Sequence, residues 1–339
     1  MEVLLKGLIS LRLPKRTARF VLGAALVAGQ GGSALAETSR DLNPCVPSPK
    51  SGRLCFSTVE TREAFETIKG LRWHPKAREA TFAFHPAADG SKLVVSFGPA
   101  DREVADALRR RHGARVDIKI DLPLRLRGGR LRQSGRAGDA SPHWGGAAVQ
   151  AESTVCTSGF SVVFPGGGRG SVSAGHCFDN GAGLASGLQF FGVTQGESGY
   201  PDYDMIAIMS GGAYANRIYT DPGAPISRTV TGKGDPGLNS LICTSGRLSK
   251  AKCNGKVVSL DGVLFQGGGW TTGLIVANKP GQVIGTVGDS GGPVYSASAG
   301  DGAVIRGMVV GGTLSGDTVY AEKISSIEAH LGVTVATTP

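Results

Sequence analysis

Hydrophobic positions from Ala147 onward fall in short runs rich in Val, Ile and Phe, each cut off by glycine. These runs are STVCTSGFSVVF, GSVSAGHCF, YDMIAIM, SLICTSGRL, KVVSL, GWTTGLIV, GPVYSA, AVIRGMVVGG and DTVYAEKI. Apolar stretches of that length between Gly-rich turns predict many short strands, and so an all-β antiparallel sandwich or barrel. The closing stretch ISSIEAHLGVTV predicts a short helix after the strands.

Upstream the texture differs. SKLVVSFGPADREVADALRRRHGARVDIKIDL, residues 91–122, reads as strand, helix, strand. Pro99 and Asp101 suit a helix start, Val104, Ala105 and Leu108 form its apolar face, and Gly113 suits its stop. Arg109, Arg110 and Arg111 then fall at the helix end, where positive charge complements the dipole. The next stretch, LRLRGGRLRQSGRAGDASPHWGG, is rich in Arg, Gly and Ser and poor in apolar anchors. It predicts an exposed, cleavable linker and a domain boundary.

At the N-terminus, Lys15, Arg16 and Arg19 precede the apolar run FVLGAALVAG and the small-residue step Ala34, Leu35, Ala36. That order predicts a secretory signal peptide cleaved after Ala36 and an extracellular protein. The competing reading, a membrane anchor, needs roughly 20 apolar residues, and neither this run nor any later one reaches that length. Cysteine usage agrees with export: Cys45, Cys55, Cys156, Cys177, Cys243 and Cys253 form an even set without a CxxC pair or His partners at zinc spacing. Their connectivity stays open at this point. If chain neighbours pair, the bridges are Cys45–Cys55, Cys156–Cys177 and Cys243–Cys253.

The 339 residues are 40% hydrophobic and carry a formal charge of +9. That charge is confined to the front: residues 1–144 hold 25 Lys/Arg against 14 Asp/Glu, whereas residues 145–339 hold 11 against 13. No basic, aromatic-interleaved surface marks the β-rich part, so nucleic acid is not an expected partner.

Three residues of the β-rich part can carry chemistry: His176 in SVSAGHCF, Asp204 in YPDYDMIAIM and Ser290 in TVGDSGGPV. A hydroxyl at its normal pKa is a poor nucleophile until a histidine accepts its proton, and that imidazole needs a carboxylate at its other nitrogen. Gly288 lets the backbone curl so that its N–H and that of Ser290 converge as an oxyanion hole, while Gly291 and Gly292 allow close passage behind the serine. A phosphate cradle would need GK[ST] and a βαβ setting, and both are missing. A lipase-like hydrolase would place its serine in GxSxG ahead of the acid and histidine, but here both precede it.

The strings SAGHC, DMIAI and GDSGGPVY resemble the three active-site segments of chymotrypsin-like serine proteases, in the family's order of His, Asp, Ser. The branch most similar is that of bacterial streptogrisins and alpha-lytic protease. SPHWGGAAV resembles the start of such mature enzymes, ICTSGRLSKAKCNG their small disulfide loop, and RGMVVGGT with DTVYAEKI their last two strands. The likeness covers about residues 141–335, and residues 80–135 more weakly resemble the removable pro-regions of that branch.

The resemblance implies two packed antiparallel β-barrels with a short C-terminal helix, preceded by a small α+β pro-region. In chain terms it implies a signal peptide at 1–36, a pro-region at 37–135, a linker and mature N-terminus at 136–146, a first barrel at 147–232 and a second at 233–339. His176 would be the general base, Asp204 its orienting carboxylate, Ser290 the nucleophile, and Gly288 with Ser290 the oxyanion donors. Asp202 competes with Asp204, which is preferred because the apolar strand begins right after it. The Cys156–Cys177 bridge would fasten the histidine loop. The implied protein is a monomeric secreted endopeptidase that acts on peptides or proteins without a cofactor, and whose pro-region is its partner before maturation.

Three departures from the family pattern bear on activity. GQVIGTVGDSGG lacks the cysteine that many relatives bridge across the specificity pocket. Val310 stands where relatives usually have a serine whose hydroxyl lies near the triad aspartate. Ile284 stands six residues before Ser290, where a carboxylate would mark preference for Arg or Lys. A neutral pocket of Ile284, Val310, Gly311, Gly312 and Thr313 would favour apolar or small side chains. Glutamate preference, assisted by Lys279 or Thr313, is the competing specificity. A catalytically weak or inactive binding protein on the same fold is the competing function.

Overall fold

A computed structural model describes residues 45–48, 52–122, 135–199 and 202–338. The predicted signal peptide lies outside the described residues. Strands β1 (Cys45–Ser48) and β2 (Gly52–Cys55) pair antiparallel, and a Cys45–Cys55 disulfide joins their ends. Helix α1 (Val59–Lys69) starts where the Thr58 hydroxyl accepts the Thr61 N–H, and it buries Thr61, Ala64, Phe65 and Ile68 at helical spacing.

Strands β3 (Phe82–Pro86) and β4 (Leu93–Phe97) pair antiparallel. Helix α2 (Arg102–His112) then crosses over, so that β5 (Val116–Ile120) lies parallel to β4. The predicted apolar face of α2, Val104, Ala105 and Leu108, is the buried one. Val104 O also accepts the indole N–H of Trp73 at 3.0 Å.

Eight strands follow in the order β6 (His143–Gly145), β7 (Ala148–Ala151), β8 (Thr154–Thr157), β9 (Val162–Val163), β10 (Arg169–Ser173), β11 (Gly183–Ser186), β12 (Gln189–Gly199) and β13 (Asp204–Met209). The remainder is β14 (Tyr214–Tyr219), β15 (Ser227–Lys233), β16 (Leu241–Gly246), β17 (Lys250–Gln266), β18 (Gly269–Asn278), β19 (Pro293–Ala297), β20 (Gly302–Gly312), β21 (Thr318–Lys323), α3 (Ile324–Leu331) and β22 (Thr334–Val335). The fold is therefore mostly β, with the short C-terminal helix that the sequence predicts.

One curled sheet runs β22-β9-β10-β13-β12-β11-β7-β8. In the second, β16, β17, β18, β21, β20 and β19 pair antiparallel in a closed circuit, which removes the exposed edges of those strands. The predicted division at 232/233 does not follow the pairing. β14 and β15 join the second sheet through β20, and β22 at the chain end returns to β9 of the first. Strand edges are satisfied by whichever backbone reaches them, and chain order does not decide that.

The N-terminal sheet is likewise continuous with the rest. Residues 82–84 of β3 pair with 263–265 of β17, and Phe82 packs its ring 5.0 Å from that of Phe265 and 5.7 Å from that of Trp270. Val263 and Phe265 thus belong to the same hydrophobic core as Phe84, Phe97 and Leu108. Among the described residues no helix is long and apolar enough to cross a membrane.

The stretch predicted as an exposed linker is anchored from Gly135 onward. Arg136, Asp139 and His143 are buried. The Arg136 guanidinium pairs with Asp221 at 2.7 Å and donates to Gly146 O and Ser245 Oγ. Asp139 accepts from His143 Nδ1 and from the Tyr219 hydroxyl, both at 2.8 Å. Its polar residues satisfy one another and the barrel backbone, so a lack of apolar anchors did not signify exposure.

His85 on β3 is buried, and its Nδ1–H donates to Pro86 O at 2.9 Å. Burial holds its pKa below the ordinary 6.5, outweighing the Pro86 hydrogen bond. The unfolded chain therefore binds more protons in this range, so His85 contributes stability above about pH 6.5 that is lost as pH falls through the depressed folded value. Thermal melts at pH 7.5 and 5.5 are expected to show a drop in midpoint on acidification that is smaller in a His85→Phe variant.

Candidate active site

Strand β10 delivers the chain into a single 3-10 turn, Gly175–Cys177, that carries His176. The Cys156–Cys177 disulfide, with its Cα atoms 6.3 Å apart, fixes that turn to β8. The first residue of β13 is Asp204, followed by the buried apolar run that roots it in the sheet. Asp204 Oδ1 accepts the His176 backbone N–H at 2.7 Å, and Oδ2 lies 2.5 Å from His176 Nδ1. A carboxylate can only accept here, so Nδ1 carries the proton. The Asp204 side chain is 1% exposed and that of His176 11%, so the imidazole is the member that reaches solvent.

Asp202 is elsewhere: its N–H donates to Trp270 O, and it bridges to Thr271. Of the two aspartates, only Asp204 is bonded to His176 among the described contacts. Cys156 and Cys177 flank His176 closely enough for a metal cluster, but their sulfurs are spent in the disulfide.

Ser290 sits in a loop clamped from beneath by Asp289, which is 1% exposed. The Asp289 carboxylate accepts the N–H groups of Thr286 and Leu248 at 2.9 Å and of Ser249 at 3.2 Å. Burial holds the neighbouring Arg247 guanidinium below its usual pKa, and Asp289 opposes that effect. Thr157 ties the loop to β8, since its N–H donates to Ser290 O and its hydroxyl to Gly288 O, each at 2.9 Å. Gly288 has φ +95°, a left-handed conformation that glycine adopts without strain. Among the described residues, no hydrogen bond uses the N–H of Gly288 or Ser290 as donor.

Gly291 has φ +89°, and a Cβ there would overlap Thr157 O and Ser173 Oγ. Gly291→Ala is expected to destabilise the protein by about 3 kcal/mol or more, from combined strain and overlap. A urea titration checks this, and an unchanged midpoint would show that the loop is not held as described.

His176, Gly288 and Ser290 line one cavity, together with Val310, Gly311, Gly312 and Thr313. No Asp, Glu, Lys or Arg is among the described residues that line it. Ile284, predicted as pocket wall, does not line it: the residue is 1% exposed and packs with Ile242, Val257 and Val319 inside the ring. Loop geometry turns that side chain into the core while Gly285, Thr286 and Val287 face the cavity. Lys279 also stays away, its Nζ donating to Cys253 O at 3.0 Å. The Cys243–Cys253 disulfide closes the adjacent loop.

Several wall residues carry no local signal in the sequence. Leu264 and Gln266 come from the β17 arm, and Thr81 and Leu122 from the N-terminal region. The Leu314 N–H donates to Asp121 O, which fixes the end of that region beside the cavity. Behind Thr313, its hydroxyl donates to Asp317 Oδ1 at 3.2 Å. Burial works to raise the Asp317 pKa, but hydrogen bonds from Ser315, Thr318 and Thr313 hold it below the ordinary value.

In class, the chain is similar to bacterial serine proteases of chymotrypsin-like fold. Thermobifida fusca protease A has 27% identity, with 57% of this chain and 98% of that one covered and a TM-score of 0.49. A chymotrypsin of Cellulomonas bogoriensis has 26% identity over 57% and 98%, with a TM-score of 0.47. A glutamic-acid-specific serine protease described as using a histidine triad in substrate binding has 23% identity over 57% and 100%, with a TM-score of 0.49. No protein-family model and no curated protein sequence matches the chain.

Proposed function

We propose that this protein is a secreted serine endopeptidase, made with a signal peptide at 1–36 and a pro-region at 37–135, that hydrolyses peptide bonds through an acyl-enzyme. The observation that carries the reading is the hydrogen-bonded His176–Asp204 pair opening onto a cavity that Ser290 and Gly288 also line. In this reading the curled eight-stranded sheet and the six-stranded ring are the two barrels of the fold, and His176 and Asp204 come from the first and Ser290 from the second.

His176 Nε2 takes the Ser290 hydroxyl proton as the oxygen attacks the carbonyl carbon of the scissile bond. Asp204 holds the imidazole in the required tautomer and stabilises the imidazolium without taking the proton itself. The negative charge on the former carbonyl oxygen is met by the N–H groups of Gly288 and Ser290, whose freedom from internal bonds supports that role. His176 then passes its proton to the leaving amine, and the acyl-enzyme forms as the C–N bond breaks. A water that gives its proton to Nε2 hydrolyses the ester and regenerates Ser290.

The uncharged wall of Val310, Gly311, Gly312 and Thr313 supports a preference for apolar or small side chains, because a buried charge would find no opposite partner there. Leu122 and Thr81 in the same wall support the idea that the N-terminal region restrains the site until it is removed.

Secreted protein incubated with a diverse peptide library, with cleavage sites read by mass spectrometry and Ser290→Ala as control, tests the reading. Cleavage after apolar or small residues that disappears in the control is expected. No cleavage of any peptide by wild-type protein would favour the inert binding protein. N-terminal sequencing of the same material is expected to give a start near residues 134–146, whereas a start at Glu37 in fully active protein would contradict maturation.

A further inference from the structure

Asp204 is held from both sides. Its carboxylate is occupied by His176, and its backbone N–H donates to Glu322 Oε1 at 3.0 Å across 118 residues of chain. Glu322 lies on β21, opposite Met308 of β20 in the six-stranded ring, whereas Asp204 begins β13 of the other sheet. Both residues are fully buried. A carboxylate at such a place loses its hydration, and only protein donors offset that loss. Every residue of β21 from Thr318 to Lys323 is buried, so the Glu322 side chain sits on a strand that packing holds still.

The geometry points to Glu322 as a positioning residue for the catalytic pair, a reading that rests on the function proposed above. It grips the main chain of Asp204 from the opposite sheet and so sets where the Asp204 carboxylate presents itself to His176. It touches neither substrate nor the reacting atoms. What it controls is the relative placement of two sheets, one carrying His176 and Asp204 and the other leading to Ser290. Displacements of about 1 Å at such a site cost on the order of 10²-fold in rate.

Two variants separate acceptor from ionisable carboxyl. Glu322→Gln keeps a carbonyl oxygen for the Asp204 N–H and removes the ionisable carboxyl, while Glu322→Met keeps the length and offers no comparable acceptor. In Glu322→Met, kcat is expected to fall about 30-fold with KM within about twofold, since the pocket wall is untouched. Glu322→Gln is expected to stay within about threefold of wild type.

The second readout is the low-field proton NMR resonance of His176 Nδ1–H, which reports the bond to Asp204 and requires no turnover. It is expected to persist in the Gln variant and to move or broaden in the Met variant. A folded Met variant with wild-type kcat and resonance overturns the inference, as does a Gln variant that loses as much as the Met one. If wild-type protein cleaves no peptide, the proposed function fails on its own and the resonance still decides the role of Glu322. If the Met chain does not fold, the Gln variant decides: a wild-type resonance supports the acceptor role, and an altered one overturns it.

Discussion

Replacing His176 with alanine is expected to lower kcat for peptide hydrolysis by on the order of 10⁶-fold, and adding Ser290→Ala is expected to cost almost nothing more. The two residues act as one unit: a serine without a base is protonated at working pH, and a base without a nucleophile has no bond to make. In the structure His176 lines the cavity while its Nδ1 is bound to Asp204. Its removal therefore takes away the base that activates Ser290 in this mechanism. The Gly288 and Ser290 N–H groups remain in both variants and sustain the same residual rate. Steady-state assays with a fluorogenic peptide, alongside thermal melts that confirm folding, check the prediction. Losses that multiply in the double variant would mean the two residues work independently.

Asp204→Asn is expected to lower kcat by about 10⁴-fold at neutral pH. The carboxylate accepts from both the His176 backbone N–H and Nδ1. An amide would offer its NH₂ to one of those positions, and if that group meets Nδ1 the proton moves to Nε2, where it blocks base catalysis. Asp202→Asn is the matched control, and its kcat is expected to remain within about threefold of wild type, because asparagine tolerates the positive φ of +91° at that position. The same peptide assay on both variants checks this pair. Equal losses would mean that Asp204 has no role in turnover that Asp202 lacks.

Local strings made the centre of the candidate site legible. His176, Asp204 and Ser290 each stand in a short segment whose neighbours dictate the local shape: the glycines around Ser290, the apolar strand after Asp204, and the cysteine beside His176. The helix at 102–112 was legible for the same reason, since its apolar face and its glycine stop are contiguous in the chain. Long-range pairing was not. Nothing in the sequence near Phe82 says that its strand will extend the edge of β17, and so place Thr81 and Leu122 in the cavity wall.

Ile284 shows the limit of counting along a loop. One turn of difference moves a side chain from pocket to core, while the neighbours Gly285 and Thr286 face the cavity. Arg136 and Asp139 show the limit of composition, since a polar stretch is buried when its partners are supplied by Asp221, Tyr219 and the barrel backbone. Glu322 combines both limits: nothing near it in the chain identifies the partner 118 residues away.

The proposed mechanism makes Ser290 a nucleophile activated by His176. Incubating the folded secreted protein with a fluorophosphonate and mapping the adduct by peptide mass spectrometry distinguishes this from an inert serine. A single covalent adduct on Ser290 is expected, formed by wild type and absent from His176→Ala. An adduct on another serine, or labelling of Ser290 that proceeds equally fast without His176, would contradict it.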